Sequence, residues 1–160
     1  MSEKLTLAGL ERFLDATCDS LRKDRDAAEL KEYVIAILFL KRLNDRFNLE
    51  RDVRREKLKT MGLSDTQIED ELERREVYRF FVPKIARWEN VKLQTEGLGS
   101  YLSKAFAEIE GMNRGCLGLL STVDFNKTSK NGDNYITNAD WVKLIKDFDE
   151  LQLTDDRLAF

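Results

Sequence analysis

The chain has 160 residues, of which 36% are charged and 42% hydrophobic, with one proline and eight glycines. This length is sufficient for one domain with a core that needs no metal or disulfide, and the composition is typical of a helical globular protein. The formal net charge of −3 provides no argument for binding nucleic acid or an anionic membrane through overall charge.

The residues used most often for catalysis and metal binding are scarce. Histidine is absent, which removes the commonest general base and the commonest zinc ligand. Cys18 and Cys116 are far apart and form no CxxC pattern, and the N-terminus lacks a basic region followed by an apolar signal core. We therefore expect a protein of the reducing cytoplasm.

The first two predicted elements are helices. Apolar or small residues at three- and four-residue steps predict an amphipathic first helix: Leu7, Leu10, Leu14, Thr17, Cys18 and Leu21. Asp26 and Glu29 form a capping signal for a second helix, from Ala27 to about Lys59. Residues 33–40 of this helix are apolar on every side, which predicts a position at the centre of a helical core. The run is shorter than the roughly 20 apolar residues that cross a bilayer.

A third helix follows a clear boundary. Gly62 suits a left-handed cap after the second helix, and Ser64 with Gln67 forms a capping box. These signals predict a helix from Asp65 to about Val77. The aromatic and β-branched residues 78–82, which precede the single proline, indicate an extended connection.

Two more helices flank a polar segment. The apolar spacing predicts an amphipathic helix over residues 98–109, ended by Gly111. Residues 126–138, which contain an Asn-Gly pair, predict an exposed loop or small hairpin. Thr137 and Asp140 can cap a last helix, whose apolar face comprises Trp141, Leu144, Ile145 and Phe148.

Together these elements predict an all-α fold. We expect a multi-helix bundle over residues 1–160, with a long central helix and a short hairpin or loop insertion near 126–138. One core should contain residues from three of the helices: Val34, Ile37, Leu38, Leu102, Phe106 and Ile145.

One polar pattern resembles a calcium loop. Asp124, Asn126 and Thr128 alternate as the first ligands of such a loop would, but Ser129 and Tyr135 occupy the places of the required glycine and glutamate. The mismatch favours an ordinary turn.

The second half of the long helix is locally basic. Between residues 41 and 59 there are four acids and eight bases: Lys41, Arg42, Arg46, Arg51, Arg54, Arg55, Lys57 and Lys59. Such a stretch can neutralise phosphates, and it can also be a solvated face with intrahelical ion pairs. Arg87 and Trp88 have flat faces that can stack on a base or a partner, although a tryptophan is more often part of the core.

Four stretches carry a family resemblance. Residues 26–47 (DAAELKEYVIAILFLKRLNDRF) are followed, in order, by 81–89 (FVPKIARWE), 98–110 (LGSYLSKAFAEIE) and 123–126 (VDFN). The ordered set resembles the N-terminal helical domain of the modification (M) subunit of type I restriction-modification systems. These subunits are adenine-N6 DNA methyltransferases of bacteria and archaea.

The resemblance implies a role in a larger enzyme. In the family, two M subunits join one specificity (S) subunit, the N-terminal domains help to close around double-stranded DNA, and S-adenosylmethionine donates the methyl group. A restriction (R) subunit is a further possible partner. This chain has no glycine-rich cofactor turn and, with one proline, no Asn/Asp-Pro-Pro-aromatic motif. We therefore expect no catalytic, cofactor or metal residue here, and a methyltransferase domain beyond residue 160.

Two functions therefore remain open for the ten residues named above as candidates for DNA or partner contact. The domain assists DNA binding and assembly with the S subunit, or it is a helical protein-interaction module that never touches DNA. A self-contained enzyme of another class is disfavoured, because no nucleophile, metal or phosphate motif is recognisable.

Overall fold

The computed structural model describes residues 5–23, 25–113 and 123–154. Within these ranges the chain forms six α-helices: α1 (Leu7–Leu21), α2 (Ala27–Thr60), α3 (Asp65–Leu72), α4 (Trp88–Val91), α5 (Leu98–Met112) and α6 (Asn138–Asp149). Two short 3₁₀ turns lie at Arg75–Val77 and Lys84–Ala86. The described residues contain no β-strand, so the predicted all-α fold with a long central helix is confirmed.

Local capping explains where the first helices begin and end. The Thr6 hydroxyl accepts a hydrogen bond from the Gly9 N–H at 3.0 Å, and the Asp26 carboxylate accepts one from the Ala28 N–H at 2.9 Å. After α2, Gly62 has φ of +81°, a left-handed conformation that favours glycine. The predicted starts of α1 and α2 and the end of α2 are therefore confirmed within a residue or two.

Two predicted helix ends are wrong. α3 ends at Leu72, about five residues early, because the Tyr78 hydroxyl donates to the Leu72 carbonyl at 2.7 Å and the chain leaves in a tight turn. α5 continues through Gly111 to Met112. Its end is set by the Asn113 side chain, which donates to the Ile109 carbonyl and exchanges two hydrogen bonds with the Phe81 backbone, all at 2.8 Å.

The core surrounds most of α2. This helix contacts α1, α3, α4 and α6, whereas α5 packs on α6 and on the turn at Lys84–Ala86. The predicted core is confirmed, since its six members belong to one cluster of buried residues: Val34, Ile37, Leu38, Leu102, Phe106 and Ile145. Leu58, Ile68 and Leu72 form a second, small cluster between the end of α2 and α3.

The apolar run of α2 is not enclosed on every side, and that prediction is wrong. Ile35 is 56% exposed and Phe39 is only partly buried. The helices that contact α2 cover its other sides. A helix can therefore be apolar all round and still keep one open face.

The polar segment after residue 126 is a small irregular hairpin with buried ends. Thr128 and Asn134 form a single antiparallel bridge, and Gly132 has φ of +83° at the turn. Phe125 and Ile136 are buried on either side, whereas the tip is exposed. The predicted insertion is thus confirmed, and its two ends are attached to the core.

Arg25 connects the junction of α1 and α2 to α6. Its guanidinium is 2.5 Å from the Asp140 carboxylate and donates to the Tyr135 carbonyl at 2.8 Å. Burial alone would raise the pKa of Asp140, but hydrogen bonds from Arg25 and Thr137 and the charges of Arg25 and Lys23 lower it. Thr137 caps α6 as predicted, accepting from the Asp140 N–H at 3.1 Å.

None of the described helices is long and apolar enough to cross a membrane.

The open face of α2 leads to a paired test. Ile37 is fully buried and Ile35 is largely exposed, two residues apart on the same helix. Ile37→Ala should lower the free energy of unfolding by about 2–5 kcal/mol, because it leaves a cavity in the core. Ile35→Ala should change it by less than about 0.5 kcal/mol, as surface substitutions do. Chemical denaturation measures both, and equal losses would contradict the assigned orientation of α2.

Candidate interaction surface on the central helix

Lys41 and Arg42, two of the predicted contact residues, are buried. The Lys41 ammonium lies 2.6 Å from the Asp45 carboxylate and 5.5 Å from the centroid of the Trp88 ring. The Arg42 guanidinium donates to the Leu153 carbonyl. Both cations therefore have interior partners, and neither presents its charge to solvent.

Arg46 and Asp45 hold the segment that leaves α6. The Arg46 guanidinium donates to the Thr154 carbonyl at 3.1 Å, and the Asp45 carboxylate accepts from the Leu153 N–H at 2.7 Å. With the contact of Arg42 to Leu153, three side chains of one turn of α2 bind two consecutive residues of the chain. This part of the basic stretch serves the fold.

Arg87 is buried and pairs with Glu73, whose side chain is partly exposed. Its guanidinium forms two hydrogen bonds with the Glu73 carboxylate, at 2.9 and 2.7 Å, and donates to the Val82 carbonyl at 3.1 Å. It also lies over the rings of Phe47 and Phe81. The hydrogen bonds from Arg87 lower the pKa of Glu73 below its ordinary value, against the opposing effect of partial burial.

Trp88 is held from both ends. Its backbone N–H donates to the Asn44 amide oxygen at 2.7 Å, and its indole N–H donates to the Asp149 carboxylate at 2.8 Å. The side chain is buried in the main core. Trp88 is therefore a core residue, which was the more frequent of the two alternatives for a tryptophan. To stack on a base, the indole would have to leave these partners.

The outer cations of α2 face the acids of α3 and the turn after it. Arg55 lies 3.0 Å from Glu69, and Arg54 lies 3.7 Å from Glu71. Arg51 is 3.6 Å from Glu73, the partner of Arg87. The alternative of a solvated helix face predicted ion pairs within α2. The structure also has ion pairs between α2 and α3.

The end of α2 is the most open part of the basic stretch. Lys59 pairs with Glu56 at 3.4 Å, both in solvent, and the Arg55 side chain is half-exposed. Lys57 is exposed, and the described chain gives it no ion-pair partner. Surface pairs of this kind contribute little to stability, so these charges remain available to a ligand.

An apolar groove runs beside these cations. Its apolar lining consists of Leu49 and Val53, which are 44% and 52% exposed, together with Val77 and Tyr78. Its charged rim comprises Arg46, Glu50, Arg54 and Lys57, and its volume is about 310 Å³. The combination of exposed apolar and basic side chains is typical of a protein-binding surface.

A scan against protein-family models matches residues 10–148 to the HsdM N-terminal domain. The chain belongs to this family. HsdM is the M subunit of type I restriction-modification systems, so the resemblance carried by the four sequence stretches is confirmed. A comparison with curated protein sequences gives no significant match.

Two of the stretches that indicated the HsdM N-terminal domain lie against each other. A Cβ added at Gly99 would lie 2.7 Å from the Phe125 carbonyl oxygen, a distance that side chains do not tolerate. The Ser100 hydroxyl lies 3.3 Å from the Asn126 amide oxygen. Gly97 has φ of +62° at the start of α5. These glycines thus serve helix entry and close packing in this HsdM domain.

The calcium-like pattern forms a turn in this HsdM domain. The Asp124 carboxylate accepts a hydrogen bond from the Asn126 N–H at 3.0 Å. Among the residues that the structure describes, no group of three or more His, Cys, Asp or Glu side chains is placed to hold a metal. Cys116 lies outside the described ranges, and Cys18 is partly buried with a free thiol whose pKa burial raises.

The roles of Asn44, Glu73 and the Arg25–Asp140 pair in this HsdM domain were not predicted from the sequence. Asn44 is a polar residue on the buried stripe of α2, at the helical step between Leu40 and Phe47, and that position was an available signal. The Glu73–Arg87 and Arg25–Asp140 pairs join residues that are far apart in the sequence, so they leave no local pattern.

The Glu73–Arg87 pair predicts a pH dependence of stability. Because folding lowers the pKa of Glu73, its contribution is complete above the ordinary value of 4.5 and is lost as pH falls through the lower folded value. Glu73→Gln should lower the free energy of unfolding by about 1–2 kcal/mol at pH 7. The difference between the variant and the unaltered chain should shrink below pH 4.5. Urea denaturation from pH 7 to pH 3 measures both effects.

Glu108→Gln provides the control, since Glu108 is an exposed glutamate on α5. It should leave stability unchanged across the pH range. A Glu73→Gln difference that stays constant down to pH 3 would contradict the assigned role of the pair.

Proposed function

We propose that this domain helps the M subunit to hold double-stranded DNA and to assemble with the S subunit. The observation that carries the proposal is the row of surface cations at the end of α2: Lys57 and Lys59, which are exposed, and Arg55, which is partly exposed and paired with Glu69. Cations in solvent on one helix can neutralise phosphates and release counterions. The overall charge of −3 implies that this contact is local and weak in isolation.

The proposal uses only some of the ten residues that were predicted to contact DNA or a partner. Lys41, Arg42, Arg87 and Trp88 are buried and bound to partners within the domain. Burial of this kind makes a residue part of the scaffold, because moving it to a ligand would leave its partner unpaired in the interior. Contact with DNA is thus assigned to the outer turns of α2, and it stays a prediction.

The chemistry belongs, in this proposal, to another part of the subunit. We expect S-adenosylmethionine to bind, and adenine-N6 methylation to occur, in a methyltransferase domain after residue 160. A second M subunit and the R subunit are further expected partners. The role of this domain would be to position DNA and subunits for that reaction, with no catalytic residue of its own.

A second candidate is an interaction module without DNA contact. The observation that favours it is the exposure of Leu49 and Val53 in the groove, since exposed apolar side chains bind protein rather than phosphate. The acids of α3 also neutralise Arg51, Arg54 and Arg55 in part. The two candidates differ in how binding should respond to salt.

The decisive experiment uses the assembled complex of M and S subunits. The triple variant Arg55→Ala, Lys57→Ala and Lys59→Ala should weaken binding equally for target and non-target duplexes, because phosphate contacts carry no sequence information. The logarithmic salt slope should flatten by up to about 0.9 per lost phosphate contact. Fluorescence anisotropy over a series of salt concentrations measures both quantities.

A matched control removes three other exposed cations, through Lys104→Ala, Lys130→Ala and Lys146→Ala. It changes the net charge equally but spares α2, so its effect on the salt slope should be smaller. If the α2 variant binds DNA normally while its complex dissociates into subunits, the interaction module is the better account. If both triple variants behave alike, only overall charge matters and the proposed contact is wrong.

A further inference from the structure

A second groove lies near the start of α2 and is lined by residues of α1 and α2. Its volume of about 300 Å³ is close to the 310 Å³ of the groove near the end of the helix. Its apolar lining includes Leu14 and Ile35, and Ile35 is 56% exposed. Its charged residues are two acids and one base: Glu11, Asp15 and Lys31. We call it the acidic groove.

The groove that contains Val53 has the opposite charge, and we call it the basic groove. Arg54 and Lys57 line it together with one acid, Glu50. A neighbouring depression shares Tyr78 with it and adds two exposed arginines and one exposed acid: Arg75, Arg79 and Glu76. Basic residues are therefore the majority in both parts of this surface.

The charges of the two grooves are largely available to another molecule. Six of these side chains are exposed and form no ion pair with any described residue: Glu11, Asp15, Lys31, Lys57, Arg75 and Arg79. Within the same part of the chain, Arg54 has one ion pair, at 3.7 Å from Glu71, and its buried Nε–H group has no hydrogen-bond partner. Carboxylates from outside would give these cations charge-assisted hydrogen bonds.

The two grooves lie on the same side of α2. Ile35 and Val53 are 18 residues apart, which is about five full turns of a helix with ~3.6 residues per turn. The two side chains therefore project in the same direction, and both are more than half exposed. At a rise of ~1.5 Å per residue, the two positions are about 27 Å apart along the helix.

Opposite charges at the two ends of one face make that face self-complementary. When two copies of α2 run antiparallel, Ile35 of each copy comes opposite Val53 of the other, and both contacts form together. The acids of α1 then face the cations of the basic groove, and Lys31 faces Glu50. Such an isologous contact closes on itself and gives a dimer rather than an open chain.

We propose that the chain forms a two-fold symmetric dimer in which the acidic groove of each copy docks on the basic groove of the other. Exposed apolar side chains in both grooves supply the buried contact, and the charges set the antiparallel orientation. Leu153 and Thr154, which are bound to the middle of α2, lie near the two-fold axis. The dimer needs neither DNA nor the S subunit, so the inference is independent of the proposed function. Because the dimer covers Lys57, it would compete with DNA for that charge.

Charge exchange between the grooves tests the pairing in the full chain. Glu11→Lys with Asp15→Lys reverses the acidic groove, and Lys57→Glu with Arg75→Glu reverses the basic groove. Each reversal alone should weaken dimerisation at least about tenfold at low salt, because like charges then face each other. The chain with all four changes keeps the net charge of −3 and should dimerise as the unaltered chain does. Sedimentation equilibrium measures each dissociation constant, and circular dichroism checks folding.

Two control variants separate the grooves from the rest of the surface. Lys104→Glu with Lys130→Glu changes the net charge as the reversed basic groove does, but both lysines are exposed elsewhere, so dimerisation should weaken far less. Ile35→Asp and Val142→Asp each place a charge on an exposed apolar position, and only Ile35 lies in a groove. Only Ile35→Asp should therefore disrupt the dimer.

The same measurements can contradict the dimer. An unaltered chain that stays monomeric at every concentration would overturn the proposal, as would a folded chain with all four changes that does not dimerise. If the four changes together prevent folding, a mixture of the two reversed chains gives the same test, since both pairings are restored in their heterodimer. Assemblies larger than dimers would overturn the two-fold arrangement. Dimers that neither reversal weakens would assign self-association to another surface.

Discussion

The structure depends on one buried side chain, Asn44, which joins an irregular segment to the central helix. Its amide group donates to the Leu40 and Ala86 carbonyls at 3.0 Å and accepts from the Trp88 N–H at 2.7 Å. Residues 78–88 have little regular structure, so their backbone groups need partners from outside the segment. Asn44 supplies two of them at the place where the segment crosses α2. The segment in turn supports α5, which packs on the turn at Lys84–Ala86.

The packing around Asn44 divides the basic stretch of α2 into two parts that differ in burial. On the turns around Asn44, the charged side chains face inward, where they bind Trp88 and the chain at Leu153 and Thr154. Two turns later α3 packs on the helix, and the cations there pair with the surface acids of α3 or face solvent. One helix thus has a first half whose charges serve the fold and a second half whose charges lie at the surface. A charge count treats both halves alike, because it contains no information on orientation.

Local signals predicted most of the fold. The caps at Asp26, Ser64 and Thr137 act within three residues, so the sequence contains them completely. The errors arose where a distant side chain decides the outcome, as at the end of α5, where Asn113 binds the Phe81 backbone. The candidate site was less predictable for the same reason. Burial of Lys41 and Arg42 follows from tertiary packing, although Asp45, four residues after Lys41, was a local indication of pairing.

The central claim is that Asn44 organises the segment 78–88 on α2, and hydrogen exchange with stability tests it directly. Asn44 is 1% exposed, whereas Asn48, one turn later on the same helix, is exposed. Asn44→Ala leaves the Ala86 carbonyl and the Trp88 N–H without their partner, and each such loss costs about 1–3 kcal/mol. The account predicts a large fall in the free energy of unfolding, with faster amide exchange at Trp88, and neither effect for Asn48→Ala. Similar small effects of both substitutions, with Trp88 still protected, would contradict it.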